Sequence, residues 1–141
     1  MDFLPSYKPE TVSSPEGVVH IWRPARGVLV TQAQGKMFEQ AARILDAYMR
    51  RIVAEDGKIV GFHDWEALSD YDSKARARLV DVAEDISRAI EGSHFLLGSR
   101  LVTLGVQAVG VLMHGLTVHP TRRSFEDALR ATLHARGVKI G

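Results

Sequence analysis

From Val18 onward the apolar positions alternate between two periods, and each switch marks an element boundary. VVHIW (Val18 to Trp22) and VLVTQ (Val28 to Gln32) are β-branched runs flanking RPARG. Pro24 and Gly27 suit a turn, so the spacing predicts a β-hairpin. Between Lys36 and Glu55, Phe38, Ala41, Ala42, Leu45, Tyr48, Met49 and Ile52 recur at helical spacing. Glu39/Arg43 and Asp46/Arg50 form i,i+4 pairs on the wet side of that helix, and Asp56-Gly57 stops it. Lys58 to His63 reads as a short strand. Ser73 to Glu91 returns to the helical period through Leu79, Val82, Ala83, Ile86 and Ile90, and ends at Gly92. His94 to Leu97 predicts another strand. Arg100 to His114 predicts a helix that is apolar on almost every face, and Thr117 to His119 a last brief strand. Ser124 with Asp127 resembles a capping box opening a final helix, carried by Phe125, Leu129 and Leu133 and closed by Gly137.

The predicted order is β-β-α-β-α-β-α-β-α. Strands alternating with helices imply an α/β domain: a mixed, mostly parallel sheet with helices packed on it. Residues 1–16 carry Pro5, Pro9 and Pro15, each fixing φ and removing a donor, and read as an irregular N-terminal arm before a domain over 17–141.

Composition narrows the functional classes. The chain has 141 residues, enough for one domain with a real core. Eighteen basic residues against seventeen acidic ones leave a net charge of +1, so no field favours nucleic acid or anionic lipid. Zero cysteines exclude disulfides, thiol catalysis and thiolate metal sites. The first residues hold no continuous apolar segment of the secretory kind, and Leu101 to Met113 is too short to span a bilayer. A cytoplasmic protein is the default expectation.

Candidate chemistry is sparse. The histidines (20, 63, 94, 114, 119, 134) are scattered singly, no helix carries an i,i+4 pair, and no metal or other cofactor is expected. His63 and Asp64 are adjacent on a predicted strand, so they point to opposite faces and form no local chelate. Ser73 follows Asp72 at a predicted helix start, where both residue types serve as caps; no GxSxG elbow surrounds it. Gln34-Gly35-Lys36 has too few glycines for a phosphate loop, and Asp70-x-Asp72-Ser73 lacks the glycine and glutamate of a calcium loop. A hydrolytic or phosphoryl-transfer enzyme is therefore the weakest reading, with His63 and Asp64 as the best candidates for its centre.

The segment DWEALSDYDSKA resembles the signature of the STAS family, the SpoIIAA-like anti-sigma-factor antagonist domains, which runs roughly Asp-Leu-Ser-x-Val-x-Phe-Met-Asp-Ser-Ser-Gly. Asp64 aligns with the strand-terminal aspartate, Leu68 with the apolar position, and Asp72-Ser73 with the Asp-Ser pair. The element order of the family matches over about residues 17 to 137. The resemblance implies a non-catalytic regulatory module of bacterial-type signalling, docking a protein partner such as a regulatory kinase. Leu68, Tyr71, Asp72, Ser73, Lys74 and Arg78 are the contact residues it implies. The family's phosphoacceptor serine is replaced here by Lys74, and Ala75 stands where glycine is found. Ser73 is thus expected to be a weak acceptor at most. Distant relatives of the fold bind lipids beside apolar helices, which makes a small-ligand (lipid or nucleotide) carrier the alternative. Val102, Val106, Val109 and Met113 recur at i, i+4, i+7 and i+11, and predict a homodimer contact.

Overall fold

The computed structural model describes Leu4, residues 9–111 and residues 113–139. Pro5 of the expected arm and Leu112 of the expected third helix lie outside the described residues. Among the described residues one six-stranded sheet forms from β1 (Glu10–Ser13), β2 (Gly17–Ala25), β3 (Val28–Met37), β4 (Ile59–Tyr71), β5 (Ile90–Leu97) and β6 (Leu116–Val118). Strand order in space equals order in the chain. The first three strands pair antiparallel and β3 to β6 pair parallel. The helices are α1 (Glu39–Asp56), α2 (Ser73–Asp85), α3 (Arg100–Gly110) and α4 (Arg122–Ala135), with a 3-10 turn at Ser87–Ala89. The expected mixed, mostly parallel α/β sheet is present.

Handedness decides which face each helix takes. The crossovers through α1, α2 and α3 all step the same way along the sheet, so right-handed connections must put all three on one face. Among the described residues no strand follows α4, and it is free to cover the other face. Two cores result. One joins α1, α2 and α3 to the sheet through Leu29, Leu45, Ile52, Trp65, Phe95 and Val102. The other sets Phe125, Leu129 and Leu133 of α4 on Val28, Val30, Val60, Phe62 and Leu96. Each fully buried side chain of this size stabilises by about 1.5–3 kcal/mol, which is what holds α4 in place.

Several boundaries depart from the sequence expectation. The arm is not irregular over Glu10–Ser13, which pairs with β2 and buries Val12, while Pro9 and Pro15 flank the strand. Pro24 lies within β2 at a register shift, and the hairpin turns at Arg26-Gly27, where Gly27 takes φ 70°. Lys36 and Met37 extend β3 because Met37 is buried and pairs with Tyr71, so α1 starts at Glu39. Its end is as expected: Gly57, at φ 82°, donates its N–H to the Val53 carbonyl at 2.8 Å. The expected helix to Glu91 stops at Asp85, since Ile90 is already paired with Ile59 as the first residue of β5. The final helix is capped by Thr121, whose hydroxyl accepts the Ser124 N–H at 3.1 Å, one turn before the cap the sequence suggested.

Candidate functional site

β4 places consecutive side chains on opposite faces of the sheet, and this separates His63 from Asp64. Both are buried, 4% and 2% exposed, yet they belong to different cores. The enzymatic pairing of the two has no geometry to act through.

Asp64 faces α4. It is not strand-terminal as the alignment suggested; β4 runs seven residues beyond it to Tyr71. The Arg122 guanidinium donates to both its oxygens, at 3.0 and 3.1 Å, and Gln32 Nε2 donates to Oδ2 at 3.2 Å. Arg122 also reaches Glu66 at 3.0 Å and Glu126 at 3.4 Å. These bonds hold its pKa above the usual arginine value, Asp64 contributing most. A carboxylate forked in this way is a clamp for the first turn of α4, not a base or nucleophile. Beside it His94 Nδ1 lies 2.9 Å from His119 Nε2, and His119 Nδ1 lies 2.8 Å from the Ser124 hydroxyl. The His94 ring stacks on Phe62 at 4.4 Å. Burial lowers the pKa of both histidines, with the neighbouring His119 a lesser cause for His94.

His63 faces the other way, into a cavity of about 130 Å³ between the sheet and helices α2 and α3. Leu29, Ile59, Trp65, Leu68, Phe95, Val102 and Val106 form much of its wall, and Met49, Leu79, Val109, Met113 and Leu116 complete the apolar lining. Gly61, Gly92 and Gly105 also line it; Tyr71 takes the side-chain space of Gly105, and that of Gly92 lies on the other face of the sheet with His94 and Val60. A Cβ on Gly61 would come within 2.5 Å of His63 Nε2, so the imidazole occupies the space that glycine leaves. His63 Nδ1 is 2.8 Å from the Thr31 hydroxyl, which also accepts the Trp65 indole N–H at 3.0 Å. Burial pushes the His63 pKa down to about 3, with His94 a minor cause, so the ring is neutral at ordinary pH.

The residues implied as partner contacts divide. Ser73 and Lys74 are exposed at the start of α2, and Asp72 is partly exposed with its carboxylate 3.0 Å from Lys36 Nζ. Asp72 takes the N-cap position of α2, but its side chain makes no capping bond because Lys36 holds it. Leu68 is 1% exposed and cannot touch a partner; it is a core residue of extended β4. Tyr71 is half-buried, its hydroxyl 3.2 Å from where a Cβ on Gly105 would sit, and it lines the cavity. Arg78 is drawn to Asp46 at 3.3 Å.

The expected dimer stripe is turned inward. Val102 and Val106 are buried, and all four of Val102, Val106, Val109 and Met113 line the cavity. The expected helix ends at Gly110, short of Met113, and its apolar stripe faces the sheet. The large apolar side chains exposed on and just after α3 are Leu101, Leu104 and Val111, the last 86% exposed.

Sequence reasoning missed Thr31, Ser93, Gly61 and Arg122. A glycine inside a predicted strand, as at Gly61, signals close approach and was available as a clue. Arg122 pairs with a residue 58 positions away, and no local pattern reports that. No group of three or more histidine, aspartate or glutamate side chains converges as a metal site among the described residues.

No protein-family model matches the sequence, and no curated protein does either. Solved structures do. An uncharacterized DUF3478-family protein with a SpoIIAA-like fold from Shewanella loihica PV-4 is 16% identical with a TM-score of 0.62, over 84% of this chain and 98% of that one. The anti-sigma factor antagonist SpoIIAA in its unphosphorylated form is 16% identical with a TM-score of 0.56, over 79% and 97%. An anti-sigma factor antagonist from Mycobacterium paratuberculosis is 17% identical with a TM-score of 0.53, over 84% and 99%. The fold is SpoIIAA-like, that of a STAS domain.

Proposed function

We propose that the chain is a non-catalytic regulatory module, cytoplasmic, that docks a protein partner at the start of α2. Support comes from one observation above others: in a SpoIIAA-like fold, the segment resembling the STAS signature leaves Ser73 and Lys74 exposed at a helix N-terminus. A regulatory kinase or a similar signalling protein is the class of partner this reading implies. Arg78 and Tyr71 border the surface rather than form it. A phosphate on Ser73 would add about −1.5 to −2 charges beside Asp72, so Ser73 is a poor acceptor in this reading. The Asp72→Ala/Lys74→Ala double variant should lose partner capture in a pull-down from the native cell. Its melting temperature should stay near the original, because the Lys36–Asp72 pair it breaks is exposed. Equal capture by the variant would sink the docking assignment. Self-association through α3, if it accompanies docking, belongs on the Leu101–Leu104–Val111 face.

The cavity favours a second reading, a carrier of a small apolar ligand. Its volume suits about one aromatic ring, not a nucleotide or a whole lipid chain. Native mass spectrometry of protein purified without denaturant separates the readings: a bound small molecule supports the carrier, bare protein the docking module.

A further inference from the structure

The cavity wall contains a hydrogen-bond donor whose direction is fixed by its neighbours. Thr31 is completely buried and its hydroxyl has two partners, Trp65 Nε1 at 3.0 Å and His63 Nδ1 at 2.8 Å. The indole N–H can only donate, so it takes a lone pair of the Thr31 oxygen. Were His63 Nδ1 also a donor, the Thr31 hydroxyl proton would be left with no acceptor in a dry interior, at a cost of order 1–3 kcal/mol. The stable arrangement has Thr31 donating to Nδ1, which places the imidazole proton on Nε2. That Nε2–H has no partner among the described residues, and it lies over Gly61 in the cavity wall. No wholly buried side-chain nitrogen or oxygen lacks a partner among the described residues, so Nε2 opens onto the cavity. Ser93, 5% exposed, and the Tyr71 hydroxyl also line it, but hydroxyls accept as readily as they donate and so select nothing.

We propose that the cavity is a binding site for a small, uncharged, single-ring-sized apolar molecule bearing one hydrogen-bond acceptor, which the His63 Nε2–H holds. The proposal rests on the carrier reading and specifies its ligand class. Volume sets the size, since a dry cavity of about 150 Å³ accommodates benzene and this one measures about 130 Å³. The walls set the apolar character. The fixed donor sets the acceptor, because a ligand without one leaves the N–H unpaired. Among the described residues Arg76 is the only charged side chain along the lining, and it is exposed, so none of them neutralises a carboxylate inside.

Acetophenone, α-methylstyrene (the same shape with CH₂ in place of the carbonyl oxygen) and benzoate are the probes, titrated by calorimetry into the whole protein. Acetophenone is expected to bind, and its affinity relative to α-methylstyrene should fall roughly three- to tenfold in His63→Phe, the worth of one hydrogen bond. In the wild-type protein, the ¹⁵N-detected His63 Nε2–H resonance should shift with acetophenone and not with α-methylstyrene, a readout that needs no variant to fold. If both apolar probes bind and neither the ratio nor the resonance responds, the donor assignment is overturned while the carrier survives. If neither binds, the cavity holds water only, and carrier and donor fall together. Benzoate binding tighter than acetophenone would overturn the uncharged class.

Discussion

The two faces of β4 are built on opposite terms. On the Asp64 face the polar side chains answer one another: the carboxylate is met by Arg122 and Gln32, His94 by His119, and His119 by Ser124. Rings stack there, Phe62 on His94 and edge-on to Phe125 at 6.0 Å, and α4 is clamped shut. On the His63 face, a donor and two hydroxyls line an apolar cavity. The first face uses its polar groups to secure a helix; the second leaves them available. A polar residue inside a strand therefore says little until its face is known, because His63 and Asp64 are sequence neighbours with opposite fates.

Acid should separate the faces most strongly. The His63 pKa is lowered to about 3 in the folded chain, and those of His94 and His119 are lowered too, against about 6.5 unfolded. Between these values the unfolded chain binds protons that the folded chain refuses, so stability is whole above pH about 6.5 and falls as the pH drops. His63 alone should remove roughly 1.4 kcal/mol per pH unit across that window. Urea titrations from pH 7 to pH 4 should show this slope, and His63→Phe should flatten it. An unchanged slope in the variant would mean that the acid sensitivity resides on the α4 face.

Breaking the clamp comes next. Arg122→Ala orphans the buried Asp64 carboxylate and should cost about 2–4 kcal/mol, moderated by water that reaches the partly exposed arginine site. Arg122→Lys keeps the charge but loses the two-pronged fit and should recover only part of it. Equal stability of the three proteins by chemical denaturation would show that the clamp is dispensable.

The smallest effect concerns the glycines. Gly61→Ala forces a methyl group within 2.5 Å of the His63 ring and should destabilise by about 1–3 kcal/mol. Gly92→Ala puts its methyl group on the α4 face, meets nothing closer than 3.5 Å, and should be neutral or stabilise by up to about 1 kcal/mol. Thermal melts that ranked the two variants the other way would break this account of how tightly His63 packs on Gly61.

Fold class was legible in the sequence because it depends on local periods. The apolar spacing of Ala41, Leu45 and Ile52 in α1 and of Phe125, Leu129 and Leu133 in α4 named the core-facing stripes. Boundaries failed where a distant partner decided them. The strand expected over Lys58 to His63 runs on to Tyr71, and Arg122 answers the Asp64 and Glu66 carboxylates that the longer strand carries. The Val102–Met113 stripe was legible as a stripe, but a period cannot say whether its partner is a sheet or another chain. The exposure of Ser73 and Lys74 at a helix start agrees with the signature-like segment. The cavity was not legible, since its lining comes from strands and helices that only the fold brings together.

Among the described residues α4 connects no two strands, so it is the one helix the sheet does not need in order to stay hydrogen-bonded. Its detachment would break the Arg122 fork, the His119–Ser124 contact and one core, but not a single strand pairing. The molecule therefore has a built-in order of opening. Amides of α4 can exchange with solvent through a partial excursion that leaves β3 and β4 intact, whereas releasing α1, α2 or α3 strains a crossover at both ends.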